Sequence, residues 1–172
     1  ERLLFETVSV GKSGKRREDA DARAARPAGD PLGVAYTEYS GRPAEAVEHL
    51  MRVREGHVPA AFHKKGLGDI DLPWGKSGKK GFGLAHIIER RSASNHDGEA
   101  FARSIPQIID EGRIEKREGY PGRAYIVHDA SEVVVGLQWM NKERTWLLTA
   151  YPYLEAGKKS SEHRLDFRPN DR

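Results

Sequence analysis

"RAYIVHDASEVVVGLQWMNKERTWLLTAYPY", residues 123–153, decides the fold class. Three runs rich in β-branched and aromatic residues, "RAYIVHD", "EVVVGLQWM" and "TWLLTAYPY", are separated by the polar stretches "DASE" and "NKER". Short apolar runs bounded by turn residues predict consecutive antiparallel strands. A fourth strand is expected around residues 113–116. On the last run, strict alternation sets Trp146, Leu148 and Ala150 on one face and Thr145, Leu147, Thr149 and Tyr151 on the other. Upstream the period changes to that of a helix. In residues 43–55, Ala44, Val47, Leu50 and Met51 recur at three- and four-residue spacing, with Pro43 suited to the first helical position and Gly56 to a stop. "DIDLPWG" alternates Ile70, Leu72 and Trp74 against polar neighbours and reads as a short extended segment. A second helix spans residues 84–91. Asp97 is placed to cap a third that contains Phe101 and Ile105, with a break or restart expected at Ser104 and Pro106 and an end at Gly112. Helices first and strands afterwards define an α+β fold, with N-terminal helices packed on a four-stranded antiparallel β-sheet.

The flanks differ from this middle. Residues 1–33 mix charge, Ala, Gly and Pro without an apolar stripe and read as an arm or linker; residues 155–172 read as a polar tail. Between them, residues 34–154 form a segment of ordinary domain size. The chain has 172 residues, 37% hydrophobic and 32% charged. It contains no cysteine, so disulfides and thiolate metal sites are excluded. No apolar run reaches the length of a membrane span, and no signal segment is recognisable at the start. The first residue is Glu rather than Met, which leads to the expectation of a piece cut from a longer polypeptide. A formal net charge of +3 permits an anionic partner without demanding one.

Two familiar motifs fail. "GKSGK" occurs at residues 11–15 and 75–79, but a phosphate loop needs a glycine five positions before its Gly-Lys-Ser, where Glu6 and Ile70 stand. This disfavours a nucleotide-dependent transferase. The seven histidines include no helical His-x-x-x-His pair, so no metal site and no cofactor is expected.

What remains is "GFGLAHIIERR", residues 81–91. On a helix, Leu84, Ile87, Ile88 and Arg91 share one side. His86 and Arg90, four apart, lie one above the other on the adjacent side. An imidazole titrates near neutrality and a guanidinium binds phosphate oxygens with fixed donors, a combination suited to phosphodiester cleavage. By spacing alone the plainer reading is the stronger: a histidine at the rim of the core beside a solvated arginine. Thr149 and Tyr151, two apart on a strand, offer hydroxyls to a phosphate, and Lys142 and Arg144 lie just before them; an ordinary half-polar strand is again the plainer reading. Trp74 can stack on a base, though burial is the commoner state of tryptophan.

In order, "GDIDLPWG", "GFGLAHIIERR", "IPQIIDEGRI", "VVVGLQW" and "TWLLTAYPY" resemble the barnase–EndoU–colicin–RelE-like nuclease superfamily, in particular its phage-associated and polymorphic-toxin branch. The resemblance covers about residues 34–153. It implies metal-independent RNA cleavage in which the 2′-hydroxyl attacks its own phosphodiester, leaving a 2′,3′-cyclic phosphate; tRNA is a candidate substrate. It also implies a domain of a secreted or phage-delivered polypeptide acting in the bacterial cytoplasm, and a cognate immunity protein as partner. Within it the helix histidine matches His86, the basic phosphate contacts match Arg90 or Arg91, and the strand hydroxyl matches Thr149. His86 thereby becomes the expected general base or acid. Arg90, with Lys142 or Arg144, is expected on the scissile phosphate, with Thr149 and Tyr151 orienting it and Trp74 on the substrate. Barnase-like enzymes pair a Glu base with a His acid; Glu115 and Glu132 are candidates for that Glu, and His128 for a second proton carrier. The rival reading is a non-catalytic nucleic-acid-binding or packaging module.

Overall fold

A computed structural model describes residues 29–152. Most of the expected arm and all of the expected tail lie outside the described residues.

After a single 3-10 turn at Thr37–Tyr39, helix α1 runs Pro43–Val53. Pro43 occupies its first turn as expected. Arg54 closes it in the left-handed conformation (φ 53, ψ 38), its N–H donating to the Leu50 carbonyl at 2.8 Å. Strands β1 (His57–Lys64) and β2 (Gly68–Pro73) follow, then α2 (Gly83–Ala93) and α3 (Gly98–Glu111), and then β3 (Arg113–Glu115), β4 (Arg123–His128), β5 (Ser131–Trp139) and β6 (Lys142–Pro152). The six strands form one sheet in the order β1-β2-β6-β5-β4-β3, with β2 parallel to β6 and all other neighbours antiparallel.

The α+β class stands, but the expected four-stranded antiparallel sheet is corrected to six strands and a mixed topology. β1 escapes a periodicity reading because it does not alternate. Pro59 interrupts it, Ala60 takes φ 47, and its register against β2 slips between Val58 and Phe62. An edge strand tolerates such a bulge and a proline. The parallel contact, Asp71 beside Trp146, joins segments far apart in the chain and has no local signature.

Asp97 caps α3, its carboxylate accepting the Ala100 N–H at 3.0 Å. The expected break at Ser104 and Pro106 does not occur; α3 is continuous with Pro106 inside it. A proline there removes one helical bond and costs about 3 kcal/mol. Ile105, Ile108 and Ile109 are all buried around it, and burying each contributes about 1.5–3 kcal/mol. Tertiary burial therefore outweighs the local penalty. α3 ends at Gly112 as expected, and the position needs glycine for space, not for turn geometry: its backbone is extended (φ −71, ψ 158), and a Cβ would sit 2.6 Å from Ile126.

The three helices cover one face of the sheet, where Leu50, Ile70, Leu84, Ile87, Ile105, Val133, Val135, Leu147 and Ala150 form the main core. A second cluster joins Leu32, Phe82, Tyr125, Val134, Trp146, Leu148 and Tyr151. Strict alternation along β6 is thus overturned. The β5–β6 register slips at Val134/Val135 and again at Gly136/Gln138. Leu148 is the extra residue of the first slip, so Trp146, Leu148 and Tyr151 share the second cluster while Leu147 and Ala150 point into the main core. Leu32, in the stretch read as arm, is buried in that second cluster.

Candidate functional site

The start of α2 is stitched to the end of β2. The Ala85 N–H donates to the Trp74 carbonyl at 2.8 Å, and Gly83, at φ 73, packs so tightly that a Cβ would lie 2.6 Å from the Pro73 carbonyl oxygen. Only glycine meets both demands. Between these elements residues 75–82 fold back on themselves. Lys76 and Phe82 exchange backbone hydrogen bonds of 3.1 and 2.9 Å, and the Gly81 N–H donates to the Gly78 carbonyl at 3.0 Å. The outer part of this loop, Lys76, Ser77, Gly78, Lys79 and Lys80, is exposed; Gly81 and Phe82 are buried.

Gly81 lies on the imidazole of His86. A Cβ at this position would be 2.5 Å from the ring Nδ1 and 2.6 Å from the Lys76 carbonyl oxygen. His86 is consequently 1% exposed, and neither ring nitrogen makes a well-formed hydrogen bond. Burial pushes its pKa below the usual 6.5 and Arg90 pushes the same way; Glu89 opposes them, Arg91 adds a smaller downward push, and the Gly78 carbonyl the smallest upward one. The imidazole is therefore held neutral at pH 7, the state in which a histidine accepts a proton. Arg90 is half-buried, with its Nε buried and unbonded. Arg91 is turned inward among the apolar residues of α2, as the wheel indicates. Gly81→Ala is expected to lift the loop, expose the ring and move the His86 pKa up towards 6.5. An NMR titration of the ring protons reads this directly; an unchanged titration means that the loop does not rest on His86.

The strand residues form a second group. Thr149 is buried opposite Val134. The Tyr151 hydroxyl donates to the carboxylate of Glu132, which is 0% exposed and also bonds Arg117. Arg117 reaches on to Glu115 at 3.1 Å and lies 4.0 Å from the centroid of the Tyr125 ring. Glu132 owes this place to the slips in β6. An uninterrupted hairpin from the Trp139–Lys142 pair would set Glu132 opposite Thr149; two slips set it opposite Tyr151. Sequence reasoning names Glu115 and Glu132 as candidate acids but misses Arg117, and only the pairing register connects the four side chains.

His86 and this group are distinct clusters. The charges that act most on His86 come from α2 itself, while Tyr151 bonds across to β5. Phe82 lies between them: it closes the loop over His86 and packs edge-on against Trp146 (5.4 Å) and Trp139 (5.3 Å) in the cluster that holds Tyr151.

The other expected residues divide. Arg144 is engaged by two carboxylates, Asp71 at 2.8 Å and Asp30 at 3.1 Å, and so clasps the start of the described chain and β2 to β6. Asp30 is also 3.4 Å from His57. Burial alone would raise the Asp30 pKa, but the Arg144 hydrogen bond, the Leu32 N–H and nearby cations together hold it below the usual range. Lys142 is exposed at the start of β6, after a turn whose Met140 and Asn141 both take positive φ. Trp74 is half-buried, with the Arg54 guanidinium 6.0 Å from its ring centroid. His128 pairs with Glu111 at 3.0 Å.

An α+β sheet protein with a shielded, neutral histidine and an arginine one turn away has the equipment for acid–base chemistry at a phosphate. The model of a family described as phage-Barnase-EndoU-ColicinE5/D-RelE like nuclease 1 matches residues 61–156, more than half of the chain. The chain belongs to that family, and nucleic acid is the substrate class that follows. No curated protein and no solved structure matches it. Among the described residues no three of His, Asp or Glu converge as a metal set, and no helix is long and apolar enough to cross a membrane.

Proposed function

We propose that this nuclease is an endoribonuclease that cuts RNA without a metal ion. The observation that carries this reading is the neutral His86 held one helical turn above Arg90, beside a loop that presents Lys76, Lys79 and Lys80 to solvent. In the reaction the imidazole takes the proton of a ribose 2′-hydroxyl. The 2′-oxygen then bonds to phosphorus as the bond from phosphorus to the 5′-oxygen breaks; the leaving 5′-oxygen takes a proton from water, and the imidazolium returns its own proton to the hydroxide left behind. The products are a 2′,3′-cyclic phosphate and a 5′-hydroxyl. Arg90 stabilises the charge that develops on the phosphate oxygens, as positioned donors do; the loop lysines and Lys142 hold neighbouring phosphates by charge. Because His86 is covered at rest, the loop opens when RNA binds. A toxin or phage effector acting in the bacterial cytoplasm, with tRNA among its targets and restrained by an immunity protein, is the biological setting we assign to this chemistry.

The covered state of His86 favours one competing reading, a module that binds nucleic acid without cutting it. Incubating the protein with total RNA in EDTA and mapping the ends separates the two. Defined breaks with cyclic phosphate ends are expected. RNA left intact at high protein excess, with binding that weakens steeply as salt rises, would establish the binding module instead.

A further inference from the structure

The loop that covers His86 also walls a groove of about 470 Å³. This is within the span of small-ligand sites, roughly 300–1,000 Å³. Trp74 stands at the end of β2 and Arg54 at the left-handed cap of α1, while α2 and α3 contribute Glu89 and Glu99 and the loop contributes Lys76 and Ser77. Met51 and Ile88 supply apolar surface.

We propose that this groove holds a nucleobase of the substrate strand, stacked on Trp74 beneath Arg54 and read on its edge by carboxylate. The proposal rests on the nuclease reading and deepens it to a base-recognition subsite. The guanidinium stands 6.0 Å from the indole centroid, at the outer limit of a cation–π contact. A flat base between them needs two van der Waals separations, about 7–8 Å in all. An outward swing of Arg54 by an ångström or two makes a slot with an aromatic plane on one side and a guanidinium plane on the other, both of which stack on bases.

The carboxylates decide which chemistry fits. Glu89 and Glu99 are both exposed and can only accept hydrogen bonds. Arg54 and Lys76 balance their charge and Arg103 lies 4.0 Å from Glu99, so what the two carboxylates add is acceptors, which fit a ring with N–H donors on its edge. Guanine alone offers two adjacent donors, N1–H and the 2-amino group, which match the two oxygens of one carboxylate. Adenine and cytosine set an acceptor nitrogen beside their amino group, and uracil flanks its single N–H with carbonyls. The groove also adjoins the reacting centre, because the Trp74 carbonyl is bonded to the N–H of Ala85, the residue before His86. Lys76 and Ser77 wall the groove while Gly81, in the same loop, covers His86.

The test is calorimetric titration of the whole protein with the four 3′-mononucleotides and with tetranucleotides carrying one guanine or none, alongside cut-site mapping on RNA. The guanine mononucleotide and the guanine-bearing tetranucleotide are expected to bind best. Trp74→Leu should weaken binding by about 5- to 100-fold, and Trp74→Phe, which keeps a stacking face and controls for folding, by much less. Glu89→Gln or Glu99→Gln should erode the preference for guanine while stacking persists. Cleavage without any nucleotide binding, or equal binding by the Trp74→Leu protein, overturns the groove assignment and leaves the nuclease reading intact. Trp74-dependent guanine binding by a protein that cuts no RNA supports the groove and sinks the nuclease reading. Binding of the free nucleotide but not of the tetranucleotide overturns the assignment to a substrate strand.

Discussion

Replacing His86 by alanine is expected to lower RNA cleavage by about 10²–10⁴-fold, the usual contribution of a positioned acid or base. The ring makes no well-formed hydrogen bond, and the Gly78 carbonyl that faces it keeps the Gly81 N–H as a donor at 3.0 Å, so its removal leaves that group bonded. His86→Leu, which keeps most of the volume, should be equally inactive yet stay within about 1.5 kcal/mol of the parent in stability, as near-isosteric core replacements do. Wild-type kcat/KM, which reports the free enzyme with its loop closed, should rise with pH along an acidic limb whose midpoint lies below 6.5, because burial and Arg90 depress the His86 pKa and only the neutral ring accepts a proton. A midpoint above 6.5, or tRNA cut at the parental rate by the alanine variant, defeats the assignment. The same shift has a consequence for stability. His86 titrates nearer 6.5 in the unfolded chain than in the fold, so between the two values the unfolded state binds more protons. The contribution of His86 is therefore complete above pH 6.5 and is lost as pH falls through the folded value. His49 and His57, also shifted down mainly by burial, act in the same direction. Urea midpoints should decline from pH 7.5 to pH 5.5, less steeply for His86→Leu than for the parent.

The largest expected effect on stability lies on the other cluster. Arg117→Met withdraws the guanidinium bonded to the fully buried Glu132 carboxylate. Removing one partner from a buried ion pair typically costs about 3–5 kcal/mol, because the remaining charge stays desolvated, whereas replacing both by apolar groups is far milder. The double variant Arg117→Met/Glu132→Leu should thus recover a good part of the loss, even though Tyr151 forfeits that acceptor. Denaturant titration of the single and double variants reads the coupling. A cost below about 0.5 kcal/mol for Arg117→Met, in the range of ordinary surface changes, would mean that the pair does not hold this part of the sheet.

How much of the site was legible in the sequence depends on the distance over which each feature is set. Arg90 beside His86 and Arg91 turned inward follow from a helix wheel, because 3.6 residues per turn set which side chains share a face, and α2 keeps that arrangement. The depth of His86 was not legible. It comes from Gly81 folding onto the ring, and a polar, glycine-rich stretch reads as an open loop whether or not it closes over a neighbour. Arg144 follows a turn and reads as a free cation, but its partners Asp30 and Asp71 lie 114 and 73 residues away. Nothing in the spacing of charges announces such a clasp.

The sequence by itself determined the α+β class, the limits of α1 and α2 to within two residues, the Asp97 cap and the meander of β4, β5 and β6. Each is written in local periodicity and turn chemistry, which act over a few residues. Only the tertiary structure decided that β1 and β2 extend the sheet through a parallel contact with β6, that α3 runs straight through Pro106, and that two register slips set Tyr151 against Glu132. Those outcomes depend on which distant surfaces bury one another, and that free energy is not assigned to any stretch of chain until the whole domain closes.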